Sequence, residues 1–98
     1  MATTGAGKRD DRKAAAAARQ KLADRAKPLR TELAQLEKRM AEATARRDRL
    51  TAALSQPALA PAERSEQGRQ LRQVGDEIEA LETRWLELGA QIDAISAP

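Results

Sequence analysis

The stretch that decides the fold is Leu71-Arg-Gln-Val-Gly-Asp-Glu-Ile-Glu-Ala-Leu-Glu-Thr-Arg-Trp-Leu-Glu-Leu-Gly-Ala-Gln-Ile-Asp-Ala-Ile95. Its large apolar residues fall at Leu71, Val74, Ile78, Leu81, Trp85, Leu88, Ile92 and Ile95, filling every a and d position of a heptad repeat. A seven-residue repeat drifts around a straight helix, so the stripe stays covered only if a second helix supercoils against it. The spacing therefore predicts one helix and demands another.

The other helix lies upstream. Leu22, Leu29, Leu36, Ala43 and Leu50 take d positions, and Ala26, Leu33, Met40, Arg47 and Leu54 take a positions. Arg47 alone breaks the apolar register; near the end of the stripe its stem can lie over Leu50 and Leu71 while the guanidinium reaches water. Pro28 sits at c, on the outside, where it removes one backbone bond and is expected to kink the helix. Between the two stripes lies Ser55-Gln-Pro-Ala-Leu-Ala-Pro61, whose two prolines stop the first helix; Pro61 suits the first turn of the second.

Two heptad helices joined by so short a loop must run antiparallel. Folding about the loop sets Leu50 against Leu71, Met40 against Ile78 and Leu81, and Leu33 against Trp85 and Leu88. Ile92 and Ile95 then reach Leu29, Ala26 and Leu22, so both stripes end together. The predicted fold is all-α: an antiparallel two-helix coiled-coil hairpin over residues 28–96 with its loop at 55–61. Residues 10–27 read as a basic linker helix continuing into it, and 1–9 as a disordered leader. Trp85, at an a position facing Leu33 and Leu36, is expected in the core, its indole N–H turned to the rim or bonded to a flank side chain. Gly68, Gly75 and Gly89 all fall at e, where a missing side chain would permit close approach by the first helix or by something else. Each costs about 1 kcal/mol of helix stability relative to Ala. With so narrow a buried strip, the isolated hairpin is expected to be marginal or to self-associate.

Composition narrows the chemistry. The 98 residues include no Cys, His, Phe or Tyr and a single Trp. Disulfides, thiolate or imidazole metal sites and imidazole acid–base catalysis are thereby excluded, and no cofactor is expected. Gly5-Ala6-Gly7-Lys8 has the look of a phosphate loop, but Ala2 and Arg9 stand where that pattern needs Gly and Ser or Thr, and no strand precedes it. Asp76, Glu77, Glu79 and Glu82 are flank charges on a coiled coil, with no pocket to perturb them. No apolar run is long enough to cross a bilayer and no secretory leader is evident, so a cytoplasmic location is expected, away from membrane.

The formal net charge of +3 is unevenly spread. Residues 1–30 hold nine Lys and Arg against Asp10, Asp11 and Asp24, whereas 61–98 hold eight acids against Arg64, Arg69, Arg72 and Arg84. The hairpin pairing gathers Arg46, Arg47, Arg49, Arg64, Arg69 and Arg72 near the tip, with Asp48, Glu63 and Glu66 as the nearby acids. Lys21, Arg25, Lys27 and Arg30 form a second basic group at the hairpin base. Arg suits phosphate through its planar fork of donors, but no aromatics interleave here to stack bases. Both groups are candidate contacts to a nucleic-acid backbone.

The segment Lys27-Pro-Leu-Arg-Thr-Glu-Leu-Ala-Gln-Leu-Glu-Lys-Arg-Met40 resembles the opening of the C-terminal coiled-coil domain of ABC-F proteins, duplicated ATP-binding-cassette ATPases without membrane spans. Gln56-Pro-Ala-Leu59 is similar to the tip loop of that domain, and Glu82-Thr-Arg-Trp-Leu-Glu-Leu88 to its closing helix. At the tip the common form often has Asp before the Pro and Tyr after the Leu, where this chain has Gln56 and Ala60. The resemblance covers residues 10–96 and implies a role in translation. It implies the ribosome, structured RNA or duplex DNA as partner, and ATPase cassette domains elsewhere, since this chain carries none of their motifs. A different class of reading is a protein-interaction or dimerisation coiled coil acting through the e-position glycines and the acidic second helix.

Overall fold

A computed structural model describes residues 3–96, with side chains from residue 7 onward. It contains two helices, α1 (Thr3–Leu54) and α2 (Pro61–Ser96), and no strand among the described residues. They lie side by side in a rod of 88 × 15 × 15 Å. Cross-helix contacts run in opposite directions: Arg84 meets Glu32, Trp85 meets Glu37, and Arg46 meets Glu77. At the far end Ile95 and Ser96 close around Leu22 and Ala26. The hairpin is antiparallel, in the register expected from the seams.

The core is one side chain deep. Leu36, Ala43, Val74, Ile78, Leu81 and Leu88 are buried, with Leu29, Leu33, Met40 and Leu50 packed partly against them, and Ala26 is sealed nearer the base. No polar or charged residue is buried among the described residues. The burial thus comes entirely from the hydrophobic transfer of a Leu/Ile/Ala strip, at about 25 cal/mol per Å² of apolar area removed from water.

Of three local expectations, two change. First, α1 begins at Thr3, so the described part of the leader is helical rather than disordered; Met1 and Ala2 lie outside the described residues. Once the alanine-rich run Ala14–Ala18 has nucleated a helix, each further residue adds a hydrogen bond at little cost. Second, α1 runs through Pro28 without interruption, so the helix does not break there, in keeping with a proline on the outer face of the stripe. The lost N–H bond is compensated by packing on both sides of it, Ala26 fully buried and Leu29 half-buried.

Third, Trp85 is not enclosed: it is 41% exposed, its Nε1 donating to Glu37 Oε1 at 3.4 Å. An indole is wider than the seam, and the flanking residue that could cover it is Gly89. The glycines do not serve helix approach either, since a Cβ built on Gly68, Gly75 or Gly89 would meet nothing within 4 Å.

The loop joining the helices is stabilised by backbone bonds. Ser55 and Gln56 N–H groups donate to Ala52 and Ala53 carbonyls, each at 3.2 Å, tightening the end of α1. Pro61 opens α2 at its first position, where a missing N–H costs nothing, and Arg64 N–H donates to the Ala60 carbonyl at 2.9 Å.

Stability tests follow directly. Leu88→Ala removes the largest fully buried side chain and is expected to cost about 2–4 kcal/mol, read as a lower urea midpoint by circular dichroism. Gly75→Ala should move the midpoint the other way, by about 0.5–1 kcal/mol, because the added methyl has open space and the helix gains propensity. A neutral Leu88→Ala would contradict the seam.

Candidate nucleic-acid interface

The six tip arginines come together at the bend, but in unlike states. Arg64 is spent on the fold. Its Nη1 donates to the Leu54 carbonyl at 3.1 Å and its Nη2 to the Gln56 carbonyl at 3.2 Å. No described residue has positive φ, so α1 does not end in a left-handed glycine turn, and this guanidinium takes up carbonyls that the helix end leaves unpaired.

Arg69 is neutralised. Its Nε and Nη2 grip both oxygens of Glu66, at 3.0 and 2.6 Å, one turn away on α2. Glu66 also accepts from Gln70 Nε2 at 3.1 Å. The hydrogen bonds from Arg69, then from Gln70, hold its carboxyl down to about 2, and Arg69 is raised in turn. Arg46 reaches across to Glu77 Oε2 at 3.3 Å. Arg47 has only a 3.7 Å approach to its neighbour Asp48. Arg49 and Arg72 make no ion pair or side-chain hydrogen bond with any described residue, and both are exposed.

An open groove of about 980 Å³ runs along one side of the tip, lined among others by Arg46, Arg49, Glu63, Glu66, Gln70 and Glu77. Its charges are mixed, and it has no enclosing wall. At the hairpin base Lys21, Arg25, Lys27 and Arg30 are all exposed, with no ion pair to a described residue. Arg30 borders the hollow where α2 ends, beside Leu22 and Ile95.

The strongest ion pair was not foreseen as a site. Arg84 donates from Nε and Nη2 to both oxygens of Glu32, at 2.6 and 3.0 Å, and from Nη1 to Glu87 at 3.2 Å. Its hydrogen bonds, Glu32 first, raise Arg84 and lower Glu32. Glu32, Arg46, Glu77 and Arg84 are all g positions, and the antiparallel register alone would have matched them. This pairing closes one flank of the seam electrostatically. The opposite flank carries Arg30, Glu37, Thr44 and Thr51 at the e positions of α1, against Gly68, Gly75, Glu82 and Gly89 on α2, and is left low and open.

Among the described residues no group of three or more acidic side chains is placed to hold a metal. No described helix is long and apolar enough to cross a membrane. An elongated helical hairpin with a polar, arginine-bearing bend is the class that fold and surface define. Residues 25–90 match the ABC transporter C-terminal domain, and the chain belongs to that family. No curated protein and no solved structure matches it.

The Glu66 clamp can be titrated. The Glu66 carboxyl followed by carbon NMR is expected to titrate near 2, returning toward ordinary carboxylate values in Arg69→Ala. Because the folded value is depressed, the stabilisation is complete above the unfolded value near 4.5 and is lost as pH falls through about 2. At neutral pH Arg69 is therefore fully compensated. A midpoint unmoved by Arg69→Ala would show that the clamp does not form in solution.

Proposed function

We propose that this chain is the non-catalytic, nucleic-acid- or ribosome-binding coiled-coil domain of an ABC-F ATPase acting in translation in the cytoplasm. It touches the phosphate backbone of structured RNA or duplex DNA through the hairpin tip, and ATP hydrolysis belongs to the parent cassette domains. The observation that carries this reading is the set of guanidinium groups left over at the bend. Arg49 and Arg72 have no acidic partner among the described residues, and Arg47 has only a loose one. Exposed, uncompensated guanidinium at the end of a stiff rod suits recognition of phosphate by shape and charge. Arg46 and Arg69 contribute less, since binding would first have to break their pairs with Glu77 and Glu66.

A second reading, self-association, draws on Trp85 and Leu86, which are 41% and 64% exposed and adjacent in sequence. Sedimentation over a range of concentrations separates the two. Dimerisation blocked by Leu86→Glu, in a protein that leaves nucleic acid unbound, would favour it.

Titrating fluorescently labelled duplex RNA and DNA into the full chain tests the first reading. Three phosphate contacts at the tip contribute about −3 to the log–log salt slope on duplex DNA, since each contributes about −0.9. R47E/R49E/R72E should weaken binding at least tenfold, whereas R46E/R69E should weaken it less. Affinity indifferent to salt, or to the triple change, would refute the tip as the contact.

A further inference from the structure

α1 has 52 residues and α2 has 36, so α1 runs on past the end of its partner by 16, or about 24 Å at 1.5 Å per residue. The packed strip stops where Ile95 meets Leu22 and Ala26. Beyond that point α1 is an arm without a neighbour among the described residues, and every described side chain from residue 7 to 25 is exposed.

The heptad register carries on into this arm, but the residues that fill it change character. The d and a positions that read Leu29, Ala26 and Leu22 beside α2 continue outward as Arg19, Ala15, Arg12 and Lys8. The adjoining e and b positions add Arg9, Lys13, Lys27 and Arg30. In an α-helix the d, a, e and b positions are contiguous, so Lys8, Arg9, Arg12, Lys13, Arg19, Lys27 and Arg30 share one face. The acids of this region, Asp10, Asp11 and Asp24, sit at f and g on the other side. Lys21 at c and Arg25 at g lie with those acids, so the d, a, e and b face carries seven basic residues and no acid. None of these basic side chains forms an ion pair with a described residue.

We infer that this arm is a second nucleic-acid contact, a basic helical face that tracks a phosphate backbone and continues into Lys27 and Arg30 at the hairpin base. It is thus more than a linker. The inference rests on the reading of the chain as a nucleic-acid binder, but not on the tip arginines. The composition of the arm selects this occupant over others. A helix that lies on an anionic membrane needs large apolar residues opposite its charges. Between residues 9 and 21 the arm offers only alanine as apolar surface. A protein partner would need an aromatic anchor such as Trp or Tyr at the centre of the contact, and the arm has none. Alanine between arginines lets the helix lie close to a charged backbone while the long side chains reach the phosphates.

The arm also has reason to respond to binding. A lone helix of this length is marginal in water. Neutralising like charges along one face removes their mutual repulsion, so helix content should rise as nucleic acid is added.

The test uses the full chain and a 24-base-pair duplex, as DNA and as RNA, at several salt concentrations. K8Q/R9Q/R12Q/K13Q changes four exposed positions on this face, all of them beyond the end of the packed strip. It is expected to weaken duplex binding at least tenfold at low salt and to reduce the slope of log affinity against log salt by about three on DNA. The thermal midpoint of the hairpin should not change, and the helix gain on adding duplex should disappear. R47E/R49E/R72E is measured in parallel. If the arm variant binds like wild type while the tip variant does not, the arm inference falls and the tip reading stands. If the arm variant alone loses affinity, the arm is upheld and the tip reading falls. Wild-type chain that ignores both duplexes, or prefers vesicles with anionic headgroups, overturns the arm inference together with the reading beneath it.

Discussion

Two helices can hide only a strip from water, and the whole molecule hangs on that strip being aliphatic along its length. Leu36, Ala43, Val74, Ile78, Leu81 and Leu88 supply it, and no buried polar residue among the described ones fixes the register through a hydrogen bond. Register must then come from shape and from the flanks. Ala26 and Ala43, both with no exposure, let the opposing leucines and isoleucines settle at defined heights. On one flank Glu32–Arg84 and Arg46–Glu77 would be separated by a slip in either direction. Each pair is at least a third exposed and adds little stability alone, but both penalise the same error.

The asymmetry of the flanks explains several features at once. Where g positions carry long charged side chains, the seam is covered by salt bridges. Where e positions of α2 carry glycine, nothing covers it, and the residue too large for the strip projects there. Trp85 keeps its indole N–H on Glu37 while part of its ring faces solvent. The cost of the glycines is unrecovered by any close contact within the hairpin. Their open shelf is a property of the surface rather than of the fold.

How much of this could be read from residues alone depended on whether a feature was periodic. The eight apolar positions from Leu71 to Ile95, the matching stripe from Leu22 to Leu54 and the proline-bounded bend determine an antiparallel pair and its register. The exposure of Trp85 was hidden because periodicity assigns a position and not its cover, which depends on Gly89 one turn away. The start of α1 was missed because the first residues are small and carry no apolar period, although helix propagation from Ala14–Ala18 needs none. At the tip, counting charges grouped six arginines correctly in space but treated them as equal. Glu66 and Arg69 stand three apart on one helix, a pairing visible in advance. The capture of α1 carbonyls by Arg64 was not, because it depends on the path of the loop.

Pairing also redistributes the charge that composition describes only in sum. α2 is acidic and α1 basic, and where they run together Glu32, Glu77 and Glu87 are matched to Arg46 and Arg84. Basic groups without such partners are densest at the bend and along the arm of α1 that outruns α2, with Lys38 and Arg39 alone between them. A rod 88 Å long with basic groups toward both ends differs from a compact globule of the same composition. Two contacts on a rigid spacer act together only on a target whose phosphates are presented at that separation, and the second contact is then made at high effective concentration. On a target lacking that spacing only one end can engage. The length of the seam would in this way set selectivity among nucleic acids that neither end could distinguish alone.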